Sequence, residues 1–262
     1  MGTRLAARLR KPVSLLINAW VWTMVVGAVI VGTPLVAIVW AATAAFDPGR
    51  YAAGRMFRLI AVFTVKMNPL WKFDTSGQLV HDPRRPYVAV SNHESYADIF
   101  LISHLPWEMK WMSKETMFNI PFMGWMMRMA GDIRVVRGER SSAIQALAAA
   151  RDRIKRRVSV MIFPEGTRSR GNGLLPFKDG AFRVAIETGA PILPLVVAGT
   201  RRAMAKGSFR FQRARARVKV LDPIETTGLT LDDVGPLRDR VRALIEDAHT
   251  RLLRELEGGE PA

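Results

Sequence analysis

The chain has 262 residues, 49% of them hydrophobic, and its 39 Lys and Arg against 23 Asp and Glu give a formal net charge of +16. It contains no cysteine, which excludes disulfides, thiolate nucleophiles and cysteine-ligated metals, and the spacing of its four histidines predicts no zinc site. The excess of positive charge predicts an anionic partner, which could be a nucleic acid, an acidic lipid surface or an acidic carrier protein.

An apolar tract without a charged residue extends over residues 13–46. We expect Gly32-Thr33-Pro34 to break it into two helices, the first about long enough to cross a bilayer, which takes roughly 20 residues. One crossing helix and a re-entrant hairpin both fit the tract. Basic residues flank both of its ends, and this favours a membrane-embedded hairpin. A cleaved signal peptide would have a shorter apolar segment.

Strands and helices alternate along the remainder of the chain. The pattern at residues 51–67 first predicts an amphipathic helix, with basic residues on one face. From residue 71 the alternation predicts an α/β fold with a mixed, mostly parallel sheet flanked by helices. We therefore divide the chain into a membrane anchor, residues 1–70, and an α/β domain, residues 71–262.

The first polar cluster follows a short apolar strand at residues 87–91 and contains His93, with Asp98 five positions later. A carboxylate that accepts a hydrogen bond from one imidazole nitrogen leaves the other nitrogen available as a base. A second interpretation is structural. Ser95-x-x-Asp98 also fits a capping box that starts a helix, with His93 as an ordinary loop histidine. Both interpretations stay open on this stretch alone.

Two further strands are predicted to end in polar residues. Arg137 follows one of them, and Glu165-Gly166-Thr167-Arg168 follows the other. Each could be a solvated turn or basic loop. The carboxyl ends of parallel strands meet at one edge of a sheet, so His93, Arg137 and Arg168 could face one crevice. A base beside two guanidiniums suggests an acceptor that carries a hydroxyl and a phosphate.

Four motifs follow one another along the chain: Asn92-His93-x-x-x-x-Asp98, Gly131-x-Ile133-x-x-x-Arg137, Phe163-Pro164-Glu165-Gly166-Thr167-Arg168 and Pro191-Ile192-Leu193-Pro194-Leu195. In this order they resemble the motifs of the glycerolipid acyltransferase superfamily, most closely the bacterial 1-acylglycerol-3-phosphate (lysophosphatidic acid) acyltransferases. The resemblance covers roughly residues 70–225.

The resemblance implies a reaction. His93 would take the proton from the acceptor's hydroxyl and Asp98 would hold the imidazole, so that the oxygen attacks an acyl thioester without a covalent acyl-enzyme. The donor would be acyl-CoA or acyl-ACP, the product phosphatidic acid, and neither a cofactor nor a metal would be needed. The implied acceptor-binding residues are Arg137, Glu165, Gly166, Thr167, Arg168 and Lys178.

The resemblance also implies a location and partners. The enzyme would lie in the bacterial inner membrane with its catalytic domain on the cytoplasmic side. Lysophosphatidic acid, an acyl thioester and membrane lipids would be its partners, with acyl carrier protein as an alternative donor carrier and no nucleic acid.

The second motif departs from the family pattern, which is similar to Gly-x-Ile-Phe-Ile-Asp-Arg. Here Arg134 stands at the Phe position and Val136 at the Asp position. This departure leaves open another lysolipid, such as a lyso-ornithine lipid, or glycerol 3-phosphate as the acceptor.

A non-enzymatic basic protein that binds membranes or nucleic acid is the alternative of another class. It would use the alternating basic residues at 213–219, which as a strand would form one solvated face.

Overall fold

The computed structural model describes residues 2–80, 82–169, 171, 173–205 and 207–258, with side chains from residue 14 onward. Within this part of the chain, seven strands form one sheet: β1 (Trp71–Gly77), β2 (Val88–Ser91), β3 (Met109–Lys114), β4 (Ile133–Val135), β5 (Ser159–Ile162), β6 (Ile192–Ala198) and β7 (Ala214–Val220). The α-helices are α1 (Gly2–Thr43), α2 (Tyr51–Lys66), α3 (Ala97–Ile102), α4 (Glu115–Phe118), α5 (Met123–Ala130), α6 (Arg140–Lys155), α7 (Gly180–Thr188), α8 (Thr200–Ala203) and α9 (Val234–Gly258).

The strand order in the sheet is β1-β7-β6-β2-β5-β3-β4. All neighbouring strands pair in parallel except β6 and β7, which pair antiparallel. The mixed, mostly parallel sheet predicted from the sequence is therefore confirmed. Its consequence is that β2, β4, β5 and β6 all end at the same edge, where the polar clusters follow them.

Two apolar layers cover the two faces of the sheet. Val88 and Val90 of β2 pack in a cluster with residues of α6, α7 and α9, whereas Ala89 packs in the opposite cluster with Leu101 of α3. This alternation is the period-two pattern of a strand that is buried on both sides. Packing on both faces holds β2 in place between the two apolar layers. The loop that carries His93 directly follows this buried strand.

The predicted break at Gly32-Thr33-Pro34 is wrong, because α1 continues through these residues as one helix. The Thr33 hydroxyl bonds to the carbonyl of Val29, four residues earlier in the same helix. Pro34 lacks the N–H that would bond to the carbonyl of Ile30, and the helix nevertheless continues past it. A Cβ on Gly32 would lie 2.5 Å from Cδ1 of Ile60, so the glycine lets α2 approach closely. The hairpin that exists is formed by α1 and α2.

The segment Ser14–Thr43 of α1 is long and apolar enough to cross a membrane, judged by length and composition. Its side chains are mostly exposed, among them three tryptophans, Trp20, Trp22 and Trp40. Tryptophan is enriched where a membrane meets water. The division of the chain at residues 70 and 71 into an anchor and a catalytic domain stays a prediction.

The sequence pattern predicts no strand at residues 71–77, where the structure has β1. Its sequence, Trp-Lys-Phe-Asp-Thr-Ser-Gly, contains residues that disfavour strands, and most of its side chains are exposed. The extended conformation of β1 is instead stabilised by parallel pairing with β7 along its whole length. The face of β7 opposite its buried alanines and valines carries Arg215, Arg217 and Lys219, as the alternation predicted.

A cluster of four buried charged side chains joins α2 to the sheet. Arg58 bonds to Asp132 at 2.5 Å and lies 3.6 Å from Glu108, which bonds to Lys110 at 3.0 Å. Burial raises the pKa of Glu108 and lowers the pKa of Lys110. Removing one partner from such a cluster leaves a buried charge uncompensated, which is strongly destabilising.

Gly54 of α2 tests this contact. A Cβ there would lie 2.1 Å from Glu108 Oε1 and 2.4 Å from Lys110 Nζ, whereas a Cβ on Gly27 of α1 would meet nothing within 4 Å. Both substitutions to alanine gain similar helix propensity. We therefore expect Gly54→Ala to lower the free energy of unfolding by about 1–3 kcal/mol. Gly27→Ala should not lower it, and equal melting temperatures of the two variants in detergent would contradict the prediction.

Candidate active site

The predicted pair of His93 and Asp98 is formed. Nδ1 of His93 lies 2.7 Å from Oδ2 of Asp98, and both side chains are buried. The histidine lies in the loop after β2, and Asp98 lies in the first turn of α3. The chain therefore turns back between His93 and Asp98, so that the carboxylate at the start of α3 reaches the imidazole in the loop before it.

Asp98 has three further donors. The backbone N–H groups of Glu94 and Ser95 donate to Oδ2 at 2.8 and 3.0 Å, and the hydroxyl of Thr200 donates to Oδ1. An ionised carboxylate only accepts, so this arrangement places the proton of the His93 ring on Nδ1 and leaves the lone pair on Nε2. The N-cap of α3 is Tyr96 and has no side-chain hydrogen bond, so the capping box with Ser95 at the N-cap is not formed. Asp98 accepts the N–H of Ser95 just before the helix and also holds the histidine.

The imidazole is held on its face as well as at its edge. The ring of Phe163 stacks on it with centroids 3.9 Å apart and an interplanar angle of 16°. The backbone N–H of His93 donates to Oε1 of Glu165 at 2.7 Å, and the N–H of Ser169 donates to the carbonyl of His93 at 2.9 Å. The third motif therefore supports the histidine loop directly.

Glu165 uses both carboxylate oxygens for backbone groups, because Oε2 accepts the N–H of Leu175 at 2.9 Å. Burial raises the pKa of Glu165, while these N–H donors act in the opposite direction. Glu165 therefore links the loop after β2 to the loop after β5 through hydrogen bonds. This differs from the acceptor contact expected from the resemblance.

The two predicted guanidiniums belong to loops that follow the neighbouring parallel strands β4 and β5 at this edge of the sheet. Arg168 lies over the ring of Tyr96, 3.8 Å from its centroid, and Arg137 is close enough to both residues to interact electrostatically. Desolvation, and then the positive charge of Arg168, lower the pKa of Arg137, with Tyr96 acting in the opposite direction. The pair marks an edge of the crevice where an anion would be stabilised.

A cavity of about 520 Å³ adjoins this edge. Phe163 lines it and also stacks on His93, so the ring of Phe163 lies between the cavity and the imidazole, and neither His93 nor Asp98 lines the cavity itself. Its basic members include Arg137 and Lys178. Its apolar members come from β3, β4, β5, α6 and α7, and they include Met112, Val135, Ala143, Leu147, Ile162 and Ala181.

Gly166 and Thr167 form the turn between Glu165 and Arg168. Gly166 has φ of +69°, and a Cβ there would lie 3.0 Å from Nζ of Lys178. The glycine therefore permits both the turn and the close approach of the lysine. Thr167 is partly buried beside it. All eight residues predicted from the sequence lie in or beside the loops at this edge of the sheet.

Sequence reasoning missed the residues behind the dyad. Thr200, the first residue of α8 and two residues after β6, is fully buried, and Glu94, also buried, bonds to His249 of α9 at 2.7 Å. Asn92, quoted only as part of a motif, pairs with both backbone groups of Val197. For Thr200, the signal in the sequence was its position directly after a predicted buried strand.

Comparison with known proteins agrees with this geometry. Residues 72–198 match the family model described as Acyltransferase. We refer to this segment, which is similar to that family, as the acyltransferase segment. The acyltransferase segment contains the whole His93 loop and the third motif, together with the fourth motif on β6.

Its relatives include several 1-acyl-sn-glycerol-3-phosphate acyltransferases. A protein of Saccharomyces cerevisiae is 34% identical over 168 residues, covering 63% of this chain and 55% of the relative. The human alpha protein is 37% identical over 162 residues, covering 61% and 57%, and a chloroplastic protein of Brassica napus is 38% identical over 146 residues, covering 55% and 42%. The chain thus spans about half the length of the curated relatives it matches.

The fold also has a close match among solved structures. The crystal structure of the 1-acyl-sn-glycerophosphate (LPA) acyltransferase PlsC from Thermotoga maritima superposes with a TM-score of 0.77. The match covers 97% of this chain and 99% of that one, at 23% sequence identity. The similarity therefore extends beyond the acyltransferase segment to the fold of nearly the whole chain.

Thr200 tests the support of the dyad. Thr200→Val keeps the shape of the side chain but removes the hydroxyl that donates to Asp98, so we expect acyltransferase turnover to fall roughly tenfold. Thr200→Ser keeps the hydroxyl and should stay within about twofold of the native enzyme on the same grounds. Steady-state kinetics of the two variants check this, and equal turnover would show that the hydroxyl is dispensable.

Proposed function

We propose that this protein is a 1-acylglycerol-3-phosphate O-acyltransferase that makes phosphatidic acid from lysophosphatidic acid and an acyl thioester. The observation that carries the proposal is the buried contact of His93 with Asp98 beside two guanidiniums. The pair provides a base for an alcohol, and the guanidiniums provide charge for a phosphate. The names of the relatives describe the same reaction.

In the proposed reaction, Nε2 of His93 takes the proton from the free hydroxyl of the acceptor as its oxygen attacks the thioester carbonyl. The resulting tetrahedral intermediate expels the thiolate, which takes the proton from Nε2. An ester forms, a thioester breaks, and His93 returns to its neutral state. Asp98 stabilises the imidazolium between the two steps. A positioned base of this kind contributes about 10²–10⁴-fold.

The acceptor's phosphate is proposed to bind Arg137 and Arg168, with Lys178 at the mouth of the adjoining cavity. The side chains that β3, α6 and α7 contribute to the cavity are mainly apolar, and this part of the cavity would bind an acyl chain. The donor is proposed to be acyl-CoA or acyl-ACP. Its thioester leaves readily, so the proposal requires neither a metal nor a cofactor.

The departures at residues 134 and 136 bear on which lysolipid is used. Arg134 pairs with Glu115 at 3.0 Å, so its charge is partly compensated outside the crevice. Val136 lines the cavity instead of presenting a carboxylate. Lysophosphatidic acid, with its phosphate, fits the remaining basic residues better than a phosphate-free acceptor does.

We propose that α1 holds the enzyme in the bacterial inner membrane with the active site on the cytoplasmic side. The exposed apolar length of α1 supports membrane insertion, and the net charge of +16 supports contact with anionic lipids. A nucleic-acid-binding role receives less support. Arg217, in the basic run that motivated it, bonds to Glu255 at 3.5 Å.

His93 tests the mechanism. His93→Ala should reduce transfer from acyl-CoA to lysophosphatidic acid by at least about 10²-fold, because the base is lost. Binding of lysophosphatidic acid should change little, since His93 supplies no charge to the phosphate. Radiolabelled transfer and equilibrium binding to the purified, detergent-solubilised variant measure the two quantities. Transfer close to the native rate would refute the base mechanism.

The guanidiniums test the acceptor. The double substitution of Arg137 and Arg168 to leucine should raise KM for lysophosphatidic acid about tenfold or more, because charge-assisted bonds to phosphate are lost. KM for monoacylglycerol, which lacks the phosphate, should not rise. Arg183→Leu, which removes an exposed arginine paired with Glu187, is the matched control. Native preference for the phosphate-free acceptor would overturn the proposed substrate.

A further inference from the structure

A second buried histidine lies behind the active site. His249 of α9 is only 3% exposed, and its Nε2 lies 2.7 Å from Oε1 of Glu94, which is itself buried. We propose that His249, acting through Glu94 and Thr200, is a positioning residue for the His93–Asp98 pair. The inference rests on the proposed function for its kinetic test, and its second test does not depend on the substrate.

The position of His249 on its helix is unusual for a histidine. The buried face of α9 is an apolar stripe that packs against β6 and contains Leu237, Val241, Ile245, Ala248 and Leu252. His249 is one turn from Ile245 on this face. A polar side chain buried there is costly unless it has a hydrogen-bond partner. The partner is Glu94, the residue that follows His93.

Glu94 connects His249 to the imidazole of His93 by one route. Oε2 of Glu94 contacts the Thr200 hydroxyl at 3.3 Å, and the same hydroxyl donates to Oδ1 of Asp98. A hydroxyl has one proton, and the shorter contact gives it to Asp98. The Glu94 carboxylate must therefore receive its hydrogen bond from elsewhere, and the N–H of His249 supplies it at the other oxygen, Oε1. The hydroxyl is left oriented toward the catalytic carboxylate.

A second route ends on the backbone of His93. Arg201 lies 3.9 Å from Oε1 of Glu94 and donates to the hydroxyl of Ser169 at 3.0 Å. The N–H of Ser169 in turn donates to the carbonyl of His93. Glu94 therefore supports both the ring and the backbone of the catalytic histidine. His249 is the group from α9 that completes this arrangement.

Loss of the His249 N–H should therefore affect turnover more than substrate binding. His249→Leu leaves Glu94 without this donor, and Glu94 can then compete with Asp98 for the Thr200 proton. We expect kcat to fall about 10- to 100-fold, the scale on which small misplacements act. KM for lysophosphatidic acid should stay within about threefold, because Arg137 and Arg168 are untouched.

Two polar substitutions separate positioning from simple packing. The amide nitrogen of a glutamine can reach the place of Nε2, whereas that of an asparagine falls one bond short. His249→Gln should recover most of kcat and His249→Asn should not, although both are polar and similar in size. Leu252→Ala, on the same buried face, is the control that lowers the melting temperature while leaving kcat of the folded enzyme unchanged.

The substrate-independent test is the tautomer of His93, read from the ¹⁵N shifts of the histidine rings. The chain has four histidines, and His93→Ala assigns the relevant signals. Native protein and His249→Gln should show Nδ1 protonated, and His249→Asn should show a mixture of tautomers. Identical His93 shifts in native protein and His249→Asn, or equal kcat of the Gln and Asn variants, would overturn the inference. If native protein transfers no acyl group to lysophosphatidic acid, the proposed function fails and the shifts alone decide the inference.

Discussion

The site depends on one carboxylate that accepts four hydrogen bonds. Asp98 receives the ring N–H of His93, two backbone N–H groups and the hydroxyl of Thr200. Together these donors fix where the carboxylate lies. They come from the loop after β2 and from Thr200, the first residue of α8, which follows β6. Asp98 therefore joins two neighbouring strands at the edge of the sheet where the chemistry is proposed to occur.

The topology of the sheet explains why these groups lie close together. Because β2, β4, β5 and β6 are parallel, their carboxyl ends deliver a base, two guanidiniums and a buried hydroxyl to one edge. Phe163 and Glu165 then fix the histidine loop from the side of β5, and Arg201 reaches it from the side of β6. The loop that carries His93 is therefore held by β2 itself and by groups that follow β5 and β6.

The sequence predicted the parts of the site that lie in local motifs. His93, Asp98, Arg137 and Arg168 each follow a recognisable strand, and the rule for parallel strands predicts that they converge. Thr200 and His249 could not be predicted in the same way, because each is an ordinary residue type whose partner is about 100 residues or more away. Their roles depend on tertiary contacts that no local pattern records.

The fold shows the same division. The buried strands and the long helices follow from periodicity, but the exposed edge strand β1 depends on its pairing with β7. Gly32-Thr33-Pro34 predicted a break from local propensity, and packing of α2 against Gly32 outweighed it.

The buried cluster around Arg58 has a further consequence for synthesis of the chain. Asp132 is 74 residues later than Arg58, so α1 and α2 leave the ribosome well before the anion that neutralises this arginine. The two N-terminal helices are therefore synthesised before Asp132 is available to Arg58, and this contact forms only when the later part of the chain folds against them.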